Sequence, residues 1–124
     1  MIINQFQDPD VIDLFVSNSY AVCLPSYYNE GVPRFLLEGL CYSKPVITTN
    51  SPGCKETVVD GVNGYMVNPR DPYSLSLAMQ KIFYLTIEDY NKMCLASRSM
   101  VDKKFSSDKI YDIVKTKLYK ISDY

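Results

Sequence analysis

The sequence contains no histidine. Ser-His-Asp and Cys-His catalysis, histidine metal sites and a histidine general base are therefore excluded together. Tryptophan is absent too, and no apolar run approaches the ~20 residues that a membrane span needs. No charge sign dominates: 13 Lys+Arg against 14 Asp+Glu leave a net charge of −1. A broad basic surface for nucleic acid is thus not expected. The opening Met1-Ile2-Ile3-Asn4-Gln5 carries no basic residue, so a secretory leader is not expected either. The four cysteines, Cys23, Cys41, Cys54 and Cys94, form no Cys-x-x-Cys pair. Most of them lie in apolar stretches, which reads as reduced thiols in a cytoplasmic protein rather than a zinc cage or a disulfide frame.

What remains is a globular chain. It has 124 residues, 47% hydrophobic and 22% charged, which suits one folded unit and not a disordered one. Its elements alternate. Residues 2–6 read as a short strand, and Asp8-Pro9 as the cap and first turn of a helix. An Asp-x-Asp metal motif at Asp8 and Asp10 is the weaker reading of that stretch. Tyr20–Leu24 is a continuous apolar run ended by Pro25-Ser26, as in a strand covered on both faces. A helix is expected from about Val32-Pro33 to Tyr42, with Leu36, Leu37, Leu40 and Cys41 inward. Pro45–Thr49 is a second strand, followed by a short helix around Cys54–Val59. Turns fall at Asp60-Gly61 and Asn63-Gly64, and a short strand at Tyr65–Val67. Three helices follow. The first is capped at Asp71-Pro72, with Leu75, Ala78, Met79, Ile82 and Phe83 on one face. The second spans about Ile87–Lys104, and the third Ser107 to about Lys120.

This alternation predicts an α/β fold: a Rossmann-like three-layer α/β/α domain with a parallel sheet of about four strands. Ligands in such sheets bind at the carboxyl ends of the strands. The loops ending there are Pro25–Gly31, Asn50–Cys54 and Asn68–Asp71. The first leads from a strand through Gly31 into a helix, whose leading N–H groups and partial positive charge suit a phosphate. Arg34 adds a fixed cation. Glu38 lies about 6 Å further along the same side. A carboxylate there repels phosphate but accepts hydrogen bonds from the hydroxyls of an adjoining sugar. Loop and helix together suit a nucleotide-sugar.

Glu30 and Glu38 are separated by seven residues. The stretch resembles the Glu-x7-Glu motif of retaining GT-B fold glycosyltransferases, and more narrowly glycosyltransferase family 4, also called glycosyl transferases group 1. Further blocks agree in order: Lys44-Pro45-Val46-Ile47-Thr48-Thr49, Pro52-Gly53-Cys54-Lys55-Glu56, and Asp60-Gly61-Val62-Asn63-Gly64-Tyr65. The resemblance covers about residues 8–85, with a helical tail over 86–120. Glu-Gly-Val-Pro-Arg and Pro-Gly-Cys look most like bacterial transferases of surface polysaccharide assembly. Between Pro25-Ser26 and Glu30-Gly31 there is one residue more than is usual in the family. Gly39 and Ser43 stand where alanine and glycine are usual.

The resemblance implies roles. Glu30, the catalytic candidate, would contact hydroxyls of the donor sugar and position it rather than attack it. Gly31, Val32, Pro33 and Arg34 would surround sugar and diphosphate, Glu38 would hold the ribose, and Glu56 would lie near the donor. No cofactor and no metal are implied. The implied reaction moves a hexose or N-acetylhexosamine from a nucleotide-sugar, most readily a UDP-sugar, to a lipid-linked saccharide. The acceptor would be bound by an N-terminal domain not contained in these residues, so the chain alone is expected to be inactive. A non-catalytic nucleotide- or protein-binding module is the other reading. From Arg98 to Lys120 seven basic residues face three acidic ones. Such a helix can lean on anionic lipid at the inner face of the cell membrane, or simply be a solvated face.

Overall fold

A computed structural model describes residues 16–26 and 31–105. The expected strand at 2–6, the Asp8-Pro9-Asp10 cap, Glu30 and the helix from Ser107 all lie outside the described residues.

Three strands form one parallel sheet in the order β1 (Val22–Leu24), β2 (Val46–Thr49), β3 (Gly64–Val67). The register pairs Val22 with Val46, and Val46 with Gly64. Side chains alternate across the sheet, as the two-residue period requires. Val22, Val46 and Met66 join one core cluster, whereas Cys23, Ile47, Tyr65 and Val67 join the other. Both faces are thus covered, which explains the unbroken apolar runs.

Helix α1 (Arg34–Cys41) packs over the first face. Leu36, Leu37, Leu40 and Cys41 are all buried there, as the spacing predicts. Full burial of a leucine such as Leu36 or Leu40 contributes about 2 kcal/mol. Gly39 belongs to the same stripe: a Cβ on it would lie 2.3 Å from Val22 Cγ2, so α1 presses directly onto β1. The helix ends in a Schellman turn. Lys44 N–H donates to Gly39 O and Ser43 N–H to Leu40 O, each at 2.9 Å. Ser43 takes the left-handed conformation this turn needs, φ 59°. That is why glycine is usual at its position.

Helix α2 (Pro72–Phe83) covers the opposite face against β2 and β3. Here the sequence expectation needs correction. Ala78 and Ile82 are buried and Leu75 is half-buried, but Met79 and Phe83 are exposed, at 53% and 72%. Ala78 and Ile82 form the i, i+4 row that meets Ile47 and Val67 of the sheet, and the flanking Met79 and Phe83 are turned outward. Helix α3 (Ile87–Lys104) returns across the molecule and packs on α1. Tyr90 enters the second cluster, and Val101 and Met100 enter the first. The segment expected as a short helix is a single 3-10 turn, Cys54–Thr57, entered through Gly53 at φ 86°. Gly64 is dictated by sheet geometry, since a Cβ there would lie 1.7 Å from Val46 O.

The Asn63-Gly64 turn has a buried foundation. Asn63 is fully buried; its Oδ1 accepts from Val59 N–H (2.7 Å) and its Nδ2 donates to Thr57 O (3.0 Å). Ser97 of α3, also in reach of Asn63 Nδ2, donates to Lys44 O at 2.8 Å. These buried polar groups satisfy one another and fix α3 against two loops.

Candidate donor site

The carboxyl ends of the three strands open into the loops expected to carry function. The first leads from β1 to α1. Residues 27–30 are not described, so Glu30 is given no position. Gly31 is exposed, and Val32 and Pro33 are half-buried. Pro33 is the residue before the helix and not its first, at φ −65° and ψ 132°. Its carbonyl accepts from Leu36 N–H and Leu37 N–H at 3.1 and 3.2 Å. Proline offers no capping side chain, and the first turn of α1 holds no acidic residue. The positive end of the helix is not neutralised by its own residues.

Arg34 and Glu38 stand on the same side, as their spacing requires. Arg34 Nε donates to Glu38 Oε1 at 3.1 Å. The two ends differ: the Arg34 side chain is 72% exposed and that of Glu38 only 10%. An exposed guanidinium in such a pair contributes little to stability and is easily drawn to another anion.

The second loop is tied to the first by hydroxyls. Thr48 Oγ1 donates to Leu24 O at 2.8 Å, and Thr49 Oγ1 and Ser51 Oγ both reach Ser26 O, the latter at 3.0 Å. Past this loop, Glu56 sits in the 3-10 turn. Lys104 at the end of α3 donates to the Glu56 carbonyl at 2.8 Å and pairs with Oε2 at 3.0 Å. That hydrogen bond first, and the charge of Lys104 second, hold the Glu56 carboxyl below its ordinary value of 4.5. In the third loop Arg70 adopts φ 56°, uncommon for a residue with a side chain.

Two of the thiols, Cys41 and Cys23, are poor nucleophiles. Burial pushes Cys41 up to about 11, against the opposing pull of Arg98, and raises Cys23 as well. All four cysteines are free. Among the described residues, no group of three or more acidic or cysteine side chains gathers as a metal site.

Several partners were not foreseen from the sequence. Arg98 and Lys104 belong to the basic stretch 98–120; in the structure Arg98 donates to Cys41 O at 3.0 Å, closing the C-terminal end of α1, and Lys104 holds Glu56. Their partners lie 57 and 48 residues away, beyond any local pattern. The hydroxyl run Thr48-Thr49-Asn50-Ser51 beside a proline-terminated strand was the one available signal for the loop clamp. Among the described residues no helix is long and apolar enough to cross a membrane.

Residues 1–99 match the family model described as glycosyl transferases group 1. The chain belongs to that family. It is 39% identical over 82 residues to the alpha-1,3/1,6-mannosyltransferase ALG2 of Dictyostelium discoideum, covering 66% of this chain and 19% of that protein. Among solved structures, a glycosyltransferase from Rickettsia africae superposes with a TM-score of 0.74 at 28% identity, over 90% of this chain and 30% of that one. Anabaena Alr3699/HepE in complex with UDP-glucose shares the fold, with a TM-score of 0.67 at 18% identity, over 88% and 29% of the two chains. The family match and these neighbours identify the fold as a C-terminal portion of GT-B. The chain spans 19–32% of the length of the curated relatives it matches.

Proposed function

We propose that this chain is the donor-binding portion of a retaining glycosyltransferase. The parent enzyme moves a hexose or N-acetylhexosamine from a nucleotide-sugar, a UDP-sugar by preference, to a lipid-linked saccharide. The observation that carries the reading is the setting of Glu38. Its nearly buried carboxylate stands one turn inside a helix whose start lacks both a capping side chain and an acid. Anion first and hydroxyl acceptor second is the order in which a nucleotide-sugar presents diphosphate and ribose.

In this reading the diphosphate lies against the start of α1, beside the backbone of Gly31, Val32 and Arg34; Pro33 has no N–H to give. Arg34 exchanges its contact with Glu38 for the phosphate, and Glu38 accepts from the ribose hydroxyls. Glu30 orients the donor sugar. Glu56, with its charge balanced by Lys104, accepts from a further hydroxyl. The charge that grows on the departing phosphate is met by the helix start and by cationic side chains, without a metal. Hexosyl transfer is supported by the mannosyltransferase relative, and the uridine donor by the UDP-glucose complex of a protein with this fold. The acceptor is bound by a part of the transferase outside these residues, so the chain alone turns over no donor. Surface polysaccharide assembly on the cytoplasmic side of the membrane is the proposed setting, supported by the Glu-Gly-Val-Pro-Arg and Pro-Gly-Cys forms.

The test is a thermal shift with UDP and with GDP. The reading requires that one of them raise the melting temperature of the chain, and that Glu38→Ala abolish the rise. A chain indifferent to both nucleotides is a partner-binding module, and the donor reading falls.

A further inference from the structure

The carbonyls at the end of α1 find main-chain partners with one exception. Tyr42 N–H donates to Glu38 O, Lys44 N–H to Gly39 O and Ser43 N–H to Leu40 O. The next donor in helical order, for Cys41 O, would be residue 45, which is a proline without an N–H. Val46 N–H is already engaged by Asn63 O. Cys41 is buried, and α1 has no basic residue in its own last turn. The partner comes from α3. Arg98 donates to Cys41 O at 3.0 Å and brings a cation to the negative end of the helix. Beside it the fully buried Ser97 donates to Lys44 O at 2.8 Å. Two consecutive residues of α3 thus grip the turn that joins α1 to β2.

Helix α1 has eight residues, too few to be ordered by its own hydrogen bonds. Its start has no cap of its own, and its end is closed by a side chain from elsewhere. Glu38 stands about one turn before Cys41. Burial chiefly raises the Cys41 thiol, while Arg98 lowers it and Glu38 raises it, so both charges lie beside this one residue. We infer that Arg98 is a positioning residue for donor binding: from α3 it closes the C-terminal end of α1 and so holds Glu38, a turn away, in place for the ribose. The ligand part of the inference rests on the donor reading above.

The test compares Arg98→Met, Arg98→Lys and Thr86→Ala in the 124-residue chain. Amide hydrogen exchange without ligand is read at Tyr42, Ser43 and Lys44, which close α1, and at Ile47 and Tyr65 in the sheet. UDP affinity is measured in parallel, at a temperature where every variant is folded. Arg98→Met should exchange about ten-fold faster at 42–44, leave the sheet amides unchanged, and bind UDP about ten-fold more weakly. Arg98→Lys keeps a charged donor for a single carbonyl, so both readings should stay within about three-fold of wild type. Thr86→Ala removes the cap at the far end of α3; it should lower stability yet leave UDP binding within about two-fold of wild type. Loss of stability is thereby separated from loss of positioning. Equal acceleration in the sheet, unchanged UDP binding in Arg98→Met, a lysine variant as weak as methionine, equal weakening by Thr86→Ala, or an Arg98→Met chain that does not fold would each overturn the inference. Should wild type bind no UDP, the donor reading fails and takes the ligand part with it, while the exchange pattern still decides whether Arg98 orders α1.

Discussion

Two helix starts in this molecule are built in opposite ways. At α3, Thr86 Oγ1 accepts from Asp89 N–H at 3.1 Å, and Glu88 and Asp89 sit in the first turn. Its positive end is closed by a cap and two acids. At α1 the preceding residue is a proline without a capping side chain, and no acid enters the first turn. The nearest carboxylate on that helix, Glu38, stands a turn further on and is nearly buried. Helix α2 follows the closed pattern, with Asp71 Oδ1 accepting from Ser74 N–H at 3.2 Å. A helix end with no cap or acid among its own residues, beside neighbours that carry both or one, is stabilised less by itself. It is held by its surroundings instead: by contact of Gly39 with Val22, by the Schellman turn at Ser43, and by Arg98 on Cys41 O.

The largest effect should come from disturbing that support. Gly39→Ala drives a methyl to within 2.3 Å of Val22 Cγ2. We expect a loss of about 2 kcal/mol in urea unfolding, the usual scale of overpacking, although alanine is the better helix former. A neutral or stabilising result would mean that α1 is not pressed onto β1. Next, Thr86→Ala should cost about 1 kcal/mol, because α3 depends on its cap. If the loss is negligible, the sealed start of α3 contributes nothing and the contrast fails on that side. Ser43→Gly should work in the other direction, gaining up to about 1 kcal/mol by relieving a left-handed serine. A loss would show that the serine side chain is worth more than the conformation costs.

The smallest effect concerns acid. Because Lys104 holds the Glu56 carboxyl below its ordinary value of 4.5, the pair stabilises the fold above that value. The contribution is lost as pH falls through the lowered folded value. Melting temperatures followed from about pH 6 to pH 3 should show a steeper acid decline in wild type than in Lys104→Met. Parallel curves would remove Lys104 as the cause.

Much of the architecture was legible from pattern. Unbroken apolar runs announced Val22–Leu24 and Val46–Thr49, and the Leu36-Leu37-Leu40-Cys41 spacing announced the buried face of α1. The ordered blocks from Glu30 to Tyr65 point to the family by residue order alone. What stayed hidden was non-local. On α2, apolar residues occur nearly all round, and periodicity could not tell that Ala78 and Ile82 face the sheet while Met79 and Phe83 face solvent. Asn63 read only as a turn residue, because its partners Ser97 and Met100 come from α3. Tyr20 and Tyr90, stacked 4.0 Å apart with Tyr90 Oη donating to Tyr20 O, meet only once α3 has crossed the sheet. In the site, the Arg34–Glu38 pair followed from helical spacing, whereas the hold of Lys104 on Glu56 required the tertiary fold.

The most direct measurement is an amide-resolved NMR titration of the 124-residue chain with UDP. The donor account predicts that the amides of Arg34 and Phe35, at the open start of α1, shift first and furthest, while those of Glu88 and Asp89, at the sealed start of α3, stay still. Equal shifts at both helix starts, or shifts centred away from α1, would contradict it.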